Sequence, residues 1–318
     1  MPESAAVIVE EPVKATSRNL SARIAGLMGE LARNEGRTET PVPGVALYRT
    51  TRDIGRRPLL YRQGVIIVGQ GAKNVHLGGE MHTYDPDHYL VLSVPLPAEC
   101  EATVRPDEPL LSLLVDFDMP MLQGVIAHMD EAAGAAEDVR AQSCQRCCQG
   151  LALPTADAAF KETVLRLLRA LASPLEARVL GPGLVRELFF RIMCGEAAAS
   201  LRALAVKNTG LSRIEKALRQ IHSNYDRPFH VEELAGCVNM STSAFHRAFK
   251  DVTSLSPIQY LKKVRLNKAM SMLVEEGVRA SEAARLVGYE SVSQFSREFK
   301  RYFGASPGRL PEPHRGGA

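Results

Sequence analysis

A chain of 318 residues, 45% apolar and 24% charged, is long enough for two packed domains and too apolar to remain disordered. No run approaches the roughly 20 apolar residues of a membrane span, and Ala5-Ala6-Val7-Ile8-Val9, ended by Glu10-Glu11, is too short for a secretory signal. The net charge of +3 is uneven: residues 207–318 carry 18 Lys/Arg against 11 Asp/Glu, and residues 1–206 carry 21 against 25. Positive charge therefore gathers in the last third, where phosphate attraction would use it. A cytoplasmic location is expected, and there the six cysteines do not imply disulfides.

Residues 1–19 have little pattern and are expected to form a disordered tail. Leu20 to Leu31 reads as a helix with Ile24, Leu27, Met28 and Leu31 on one side. Pro41 and Pro43 mark residues 36–44 as a loop. From Val45 to Phe117 the texture becomes β-type. The candidate strands are Val45–Tyr48, Val65–Val68, Asn74–Leu77, Met81–Tyr84, Tyr89–Leu92, Cys100–Val104 and Leu110–Phe117, with Gly78-Gly79 as a hairpin turn. Short strands at this spacing predict a small antiparallel barrel or sandwich. Met121–Met129 reads as a helix, and Ala158–Leu171 is amphipathic through Phe160, Val164, Leu167 and Leu168. Leu184–Met193 is too broadly apolar for a fully exposed helix, so it either packs on the barrel or forms a dimer seam. A domain boundary falls near Thr209-Gly210, separating residues 20–206 from 207–318.

The last hundred residues contain a duplication. Phe245-His246-Arg247-Ala248-Phe249-Lys250 and Phe295-Ser296-Arg297-Glu298-Phe299-Lys300 both read F-x-R-x-F-K, 50 residues apart, and Ser256-Pro257 answers Ser306-Pro307 at the same offset. Upstream, Ala235-x-x-Val238 answers Ala284-x-x-Val287 at an offset of 49, so one turn is a residue longer. A fixed period means two copies of one supersecondary unit, here helix-turn-helix. Phe245 and Phe249, four apart, face the core. The opposite face then holds Ser243, His246, Arg247 and Lys250, and the second copy offers Ser293, Ser296, Arg297 and Lys300, flanked by Gln294 and Arg301. Between them residues 258–276 run without Gly or Pro, a predicted helical rod of about 28 Å. That length suits two recognition helices in successive major-groove segments, which lie about 34–36 Å apart.

On these residues the chain resembles the DNA-binding domain of the AraC/XylS transcription regulators. The likeness runs from about Leu211 to Leu310 and includes Leu234-Ala235, Arg265-Leu266, Val287-Gly288-Tyr289 and Gly304-x-Ser306-Pro307. Gln70-Gly71-x-Lys73, Gly78-Gly79 and Tyr84-x-Pro86-x-x-Tyr89-Leu90 resemble the cupin-like N-terminal domain of one AraC-type subfamily. The resemblance implies an α+β protein: an N-terminal cupin-like antiparallel β-barrel with flanking helices that holds a small-molecule effector, then an all-α domain with two helix-turn-helix units. Expected base contacts are Ser243, His246 and Arg247 in the first unit and Ser293, Gln294 and Arg297 in the second, because Arg suits guanine and Gln suits adenine. Lys250, Lys300 and Arg301 are expected on phosphates. Expected partners are double-stranded DNA, the effector, RNA polymerase and, through the apolar helix, a second copy; no membrane partner is expected.

Other clusters carry less. His76, Glu80, His82 and His88 fall on adjoining strands, but their H-x₃-E-x-H spacing departs from the cupin metal pattern, so neither metal nor cofactor is expected. Cys144, Cys147 and Cys148 form a dense thiol group around Arg146, a candidate for sensing oxidants or electrophiles, against the plainer reading of a cysteine-rich loop. Cys100, Cys194 and Cys237 have apolar neighbours and are expected to be buried. No nucleophile elbow, Walker loop or Rossmann fingerprint is present, so no enzyme is expected. Two rivals stay open: a barrel enzyme with an accessory DNA-binding domain, and a regulator without an effector.

Overall fold

The computed structural model describes residues 10–105, 107–133, 150–206 and 209–309. Helix α1 (Glu10–Leu31) starts within the stretch expected to be a tail. Its first turn tolerates Pro12, because the N–H that proline lacks has no intrahelical partner there. Leu20, Ile24 and Met28 are buried on one side, as their spacing predicts.

Among the described residues ten strands follow: β1 (Gly36–Glu39), β2 (Val45–Thr50), β3 (Ile54–Tyr61), β4 (Gly64–Gln70), β5 (Lys73–Leu77), β6 (Glu80–Tyr84), β7 (Leu90–Leu92), β8 (Leu96–Ala102), β9 (Leu110–Asp116) and, later, β10 (Leu151–Ala152). One sheet has the order β1-β2-β9-β4-β7-β10 and the other β3-β8-β5-β6, with antiparallel pairing throughout. The cupin-like domain is thus two sheets rather than a closed barrel among the described residues. Three strands went unread in the sequence. β3 is interrupted by Arg56, Arg57 and Pro58 and carries a register shift between Ile54 and Arg57 that breaks its alternation. β1 has no apolar run, and β10 is two residues long.

Helix α2 (Met119–Ala133) and helices α3 (Ala158–Leu171) and α4 (Pro174–Met193) flank the sheets. Asp157 caps α3 by accepting from the Phe160 N–H, and Ser173 caps α4 ahead of Pro174. α4 is twice the expected length, and its unpredicted first half leaves Leu175, Val179 and Leu180 exposed. Lys161 of α3 is almost wholly buried and donates to Asp87 Oδ1 at 2.7 Å and Ser17 Oγ at 2.9 Å, pinning α3 to α1 and to the loop before β7.

Helix α5 (Ala198–Ala205) leads to the helices of the last third: α6 (Gly210–Ser223), α7 (Val231–Cys237), α8 (Thr242–Thr253), α9 (Pro257–Glu275), α10 (Ala280–Leu286) and α11 (Val292–Phe303). The buried apolar residues from α1 as far as Val264 of α9 form one continuous cluster, while Leu266, Ala269, Ala283, Ala284, Val287, Phe295 and Phe299 form a second. The first helix-turn-helix unit therefore shares its core with the N-terminal domain, and the second stands on its own. The seam is polar at one point. Tyr260 donates its O–H to the Pro95 carbonyl at 2.8 Å and accepts from His222 Nε2 at 2.8 Å. Nearby, Gly150 N–H donates to the Val252 carbonyl at 3.0 Å.

Burial, with the Lys268 cation adding to it, depresses the His222 pKa to about 4. An unfolded histidine titrates near 6.5, so the unfolded chain binds this proton more tightly. The contribution to stability is complete above pH 6.5 and is lost as pH falls towards 4. His222→Gln, which keeps a donor for Tyr260, should remove about 2 kcal/mol of the stability lost between pH 7.5 and 4.5. Urea midpoints at the two pH values check this, and an unchanged pH dependence would contradict it.

Candidate nucleic-acid interface

The two units are built alike in detail. α7 ends in a turn where Asn239 takes a left-handed φ of 53°, and α10 ends in one where Gly288 takes 80°. In each, the residue after next to the valine bonds back to the preceding helix: Met240 N–H to Ala235 O and Tyr289 N–H to Ala284 O, both at 2.9 Å. Ser241 then caps α8 by accepting from the Ala244 N–H, and Ser291 caps α11 by accepting from the Gln294 N–H. Asparagine and glycine at the left-handed position fit the sterics, since other side chains strain there.

Below each turn the aromatic pairs are sealed. Phe245, Phe249, Phe295 and Phe299 are all fully buried, with ring centroids 5.5 Å apart in the first pair and 5.4 Å in the second. The helical period then forces the opposite faces outward. Ser243, His246, Arg247 and Lys250 are exposed on α8, as are Ser293, Gln294, Arg297, Lys300 and Arg301 on α11. Each helix thus presents its expected base-facing and phosphate-facing side chains together on one solvent face. Gln294 is not free: its Nε2 donates to Glu298 Oε1 at 3.3 Å.

Sequence reading named Arg265, Tyr289 and Glu298 only as parts of motifs and gave none of them the role of fixing the second unit. Arg265 of α9 donates to three carbonyls: Nε to Tyr225 at 2.6 Å, Nη1 to Gly288 at 3.0 Å and Nη2 to Arg227 at 2.8 Å. One planar guanidinium so ties the connecting helix to the chain after α6 and to the turn of the second unit. Glu298 accepts from Lys262 Nζ at 2.9 Å and from the Tyr289 hydroxyl at 2.8 Å, joining α11 to α9. Burial opposes ionisation of Glu298, but hydrogen bonds from Lys262, Tyr289 and Gln294 outweigh it and hold its pKa low. The only advance signal was spacing: Glu298 lies four residues after Gln294. α9 itself matches its predicted extent, and begins in a capping box between Ser256 and Gln259.

The remaining candidate groups do not converge. His76 Nε2 meets Glu101 Oε1 at 3.0 Å, His82 lies 3.7 Å from Glu80, and His88 Nδ1 meets Asp85 Oδ1 at 3.0 Å, three separate pairs. Among the described residues no three His, Cys, Asp or Glu side chains gather as metal ligands. Cys144, Cys147 and Cys148 lie outside the described residues. Cys100 is buried as expected, but Cys194 and Cys237 are exposed. Each falls at the C-terminal end of a helix, where the apolar spacing around it no longer dictates burial. No helix among the described residues is long and apolar enough to cross a membrane.

Comparison with known proteins meets this geometry from both ends. The family profile described as AraC-type transcriptional regulator N-terminus matches residues 41–200, and a helix-turn-helix domain profile matches residues 234–312. The HTH-type transcriptional regulator AlkR of Acinetobacter baylyi is 36% identical over 94 residues, which is 30% of this chain and 31% of AlkR. This chain spans less than half the length of the curated relatives it matches. Across the whole fold, an apo variant of ToxT from Vibrio cholerae superposes with a TM-score of 0.55 at 9% identity, covering 86% of this chain and 97% of ToxT. Wild-type ToxT with an unsaturated fatty acid bound gives 0.52 at 12% identity, covering 83% and 92%.

The turn geometry makes its own test. A Cβ at Gly288 would collide with the Asp226 carbonyl, and the residue's φ is positive. Gly288→Ala should therefore destabilise the chain by at least about 2 kcal/mol, and Phe249→Ala by about 3–5 kcal/mol. Denaturant unfolding followed by circular dichroism measures both, and a change below 1 kcal/mol at Gly288 would contradict the packing described.

Proposed function

We propose, from the premise that this chain belongs to the AraC-type transcriptional regulators, that it reads promoter DNA with α8 and α11 under control of an effector bound by its N-terminal domain. The observation that carries the reading is the pair of equivalent recognition helices, each with its aromatic face buried and its polar, basic face in solvent. Ser243, His246 and Arg247 face base edges from α8, and Ser293, Gln294 and Arg297 from α11. Gln294 must leave Glu298 to do so. Lys250, Lys300 and Arg301 take phosphates, supplying affinity and salt dependence without sequence information. RNA polymerase is the partner through which the bound regulator acts. The fatty-acid complex of ToxT supports a small-molecule role for the equivalent domain here, and no constellation described above supports turnover.

The division between reading and anchoring is testable by binding to a natural target and its single-base variants. Arg247→Ala should flatten preference at one base position, with a loss of about 1–3 kcal/mol on the best site. Lys250→Ala should weaken every sequence alike and reduce the salt slope by about one. Equal losses from both variants on all sequences would overturn the assignment.

A homodimer is supported not by the expected seam at Leu184–Met193, where Val185, Leu188, Phe189, Ile192 and Met193 are buried within the chain, but by the first half of α4, where Leu175 is 73% exposed and Val179 68% exposed, beside Leu180. Apolar side chains grouped on one helix end favour a self-complementary contact. Sedimentation should show the Leu175→Glu/Val179→Glu chain as a monomer where the unaltered chain is a dimer; identical sedimentation would exclude this seam.

A further inference from the structure

The two recognition helices close in the same way on different residues. α8 ends on Ser254 and α11 on Gly304, in left-handed backbone with φ of 59° and 77°. Each donates its N–H four residues back, to the Lys250 or the Lys300 carbonyl. Glycine takes that conformation freely and serine is strained in it. The repeat thus shows glycine to be the easier residue, yet the first unit carries a side chain there. That side chain lies against the N-terminal domain. A Cβ at Gly78, in the β5–β6 hairpin turn, would fall 2.9 Å from both Cβ and Oγ of Ser254. Only a residue without a Cβ lets the hairpin tip come this close.

A second glycine of the N-terminal domain meets the same turn of α8. Gly150, just before β10, donates its N–H to the Val252 carbonyl at 3.0 Å. A Cβ there would fall 2.8 Å from that oxygen and 2.7 Å from Val94 Cγ2. The last carbonyls of a helix have no partner inside it, and here the N-terminal domain supplies one. Near the start of α9, Tyr260 is bonded to the Pro95 carbonyl, so three contacts surround the corner between α8 and α9. Thr253 stiffens that corner from within: it is fully buried, donates to the Phe249 carbonyl at 2.7 Å and accepts from the Leu255 N–H at 3.2 Å. The clamped turn is therefore bonded to a phenylalanine that sets the outward face of α8. The cap of α11 is different. A Cβ at Gly304 would meet nothing within 4 Å, and among the described residues no hydrogen bond from the N-terminal domain reaches its last turn.

We propose that Gly78 and Gly150 are positioning residues for DNA reading, which couple the N-terminal sheets to recognition helix α8 through Ser254 and Val252. A helix of 12 residues is a rod of about 18 Å. A shift of the sheets at its last turn is carried to Ser243, His246 and Arg247 at the other end. The coupling acts on the first unit and leaves α11 to follow through α9. It rests on α8 being a DNA-reading helix, and adds the route by which the N-terminal domain governs it.

Amide hydrogen exchange of the full chain is followed across residues 73–84, with and without a promoter fragment that the chain selects from genomic DNA. Coupling is reciprocal, so bound DNA should slow exchange in the hairpin at least about threefold. Gly78→Ala should weaken promoter binding at least about fivefold. Gly79→Ala is the control: its φ of 91° strains alanine too, but its Cβ would meet nothing within 4 Å. Its binding should stay within about twofold of the unaltered chain. Adding Ser254→Gly to Gly78→Ala moves the side chain across the contact, removes the collision and should restore binding to within about twofold. The coupling is overturned if hairpin exchange ignores bound DNA, if both single glycine variants lose affinity alike, or if the double variant binds no better than Gly78→Ala. Exchange in the unaltered chain decides the matter should Gly78→Ala fold poorly. Promoter discrimination without a hairpin response removes the coupling alone, whereas an unaltered chain that discriminates no promoter removes the reading of α8 beneath it.

Discussion

Burial of two phenylalanine pairs decides which way the recognition helices face. Phe245 with Phe249 and Phe295 with Phe299 have no solvent exposure at all, and removing such a ring costs about 3–5 kcal/mol. No rotation of α8 or α11 that hid Arg247 or Arg297 would leave these rings covered. Orientation is thus fixed by hydrophobic packing, and the polar faces of α8 and α11 are left in solvent. Relative placement is a separate constraint, met by polar bonds. Two bonds tie the second unit to α9, Arg265 to the Gly288 carbonyl and Lys262 to Glu298; Arg265 also ties α9 to the chain after α6, and Tyr289 bonds Glu298 within the unit.

The N-terminal domain reaches this assembly unequally. The first unit shares a continuous apolar core with the sheets and is bonded to them through Tyr260 and Val252, while the second has its own smaller core. The sheets meet α9 directly, because Pro95, whose carbonyl accepts from Tyr260, immediately precedes β8. In the proposed role, an effector would act first on the position of the connecting helix. The residues of α8 proposed to face DNA are exposed, so control of this kind would change geometry rather than uncover a blocked surface.

Much of this was legible before any coordinates. The F-x-R-x-F-K repeat, its serine caps and the unbroken run between the copies located both units and the rod, because helices of period 3.6 write their faces plainly into sequence. The strands were harder. β3 hides behind two arginines and a proline, and its bulge shifts the alternation on which strand recognition depends. The first half of α4 was missed because Pro182 and two glycines sit inside it. Lys73 was seen as part of a motif, but its burial between the Tyr48 and Tyr61 rings is a fact of three dimensions. Exposure of Cys194 and Cys237 was misjudged for the same reason, since apolar neighbours in sequence do not fix the direction of a side chain at a helix end.

The central claim is that two recognition helices, held by one rod, engage the duplex together. Hydroxyl-radical footprinting of the full chain on a bound promoter fragment measures this directly. The account predicts two protected patches on one face of the DNA, centred about 10–10.5 base pairs apart, with the patch assigned to α11 weakened by Arg265→Met. A single patch, or two patches whose spacing and strength ignore that substitution, would contradict it.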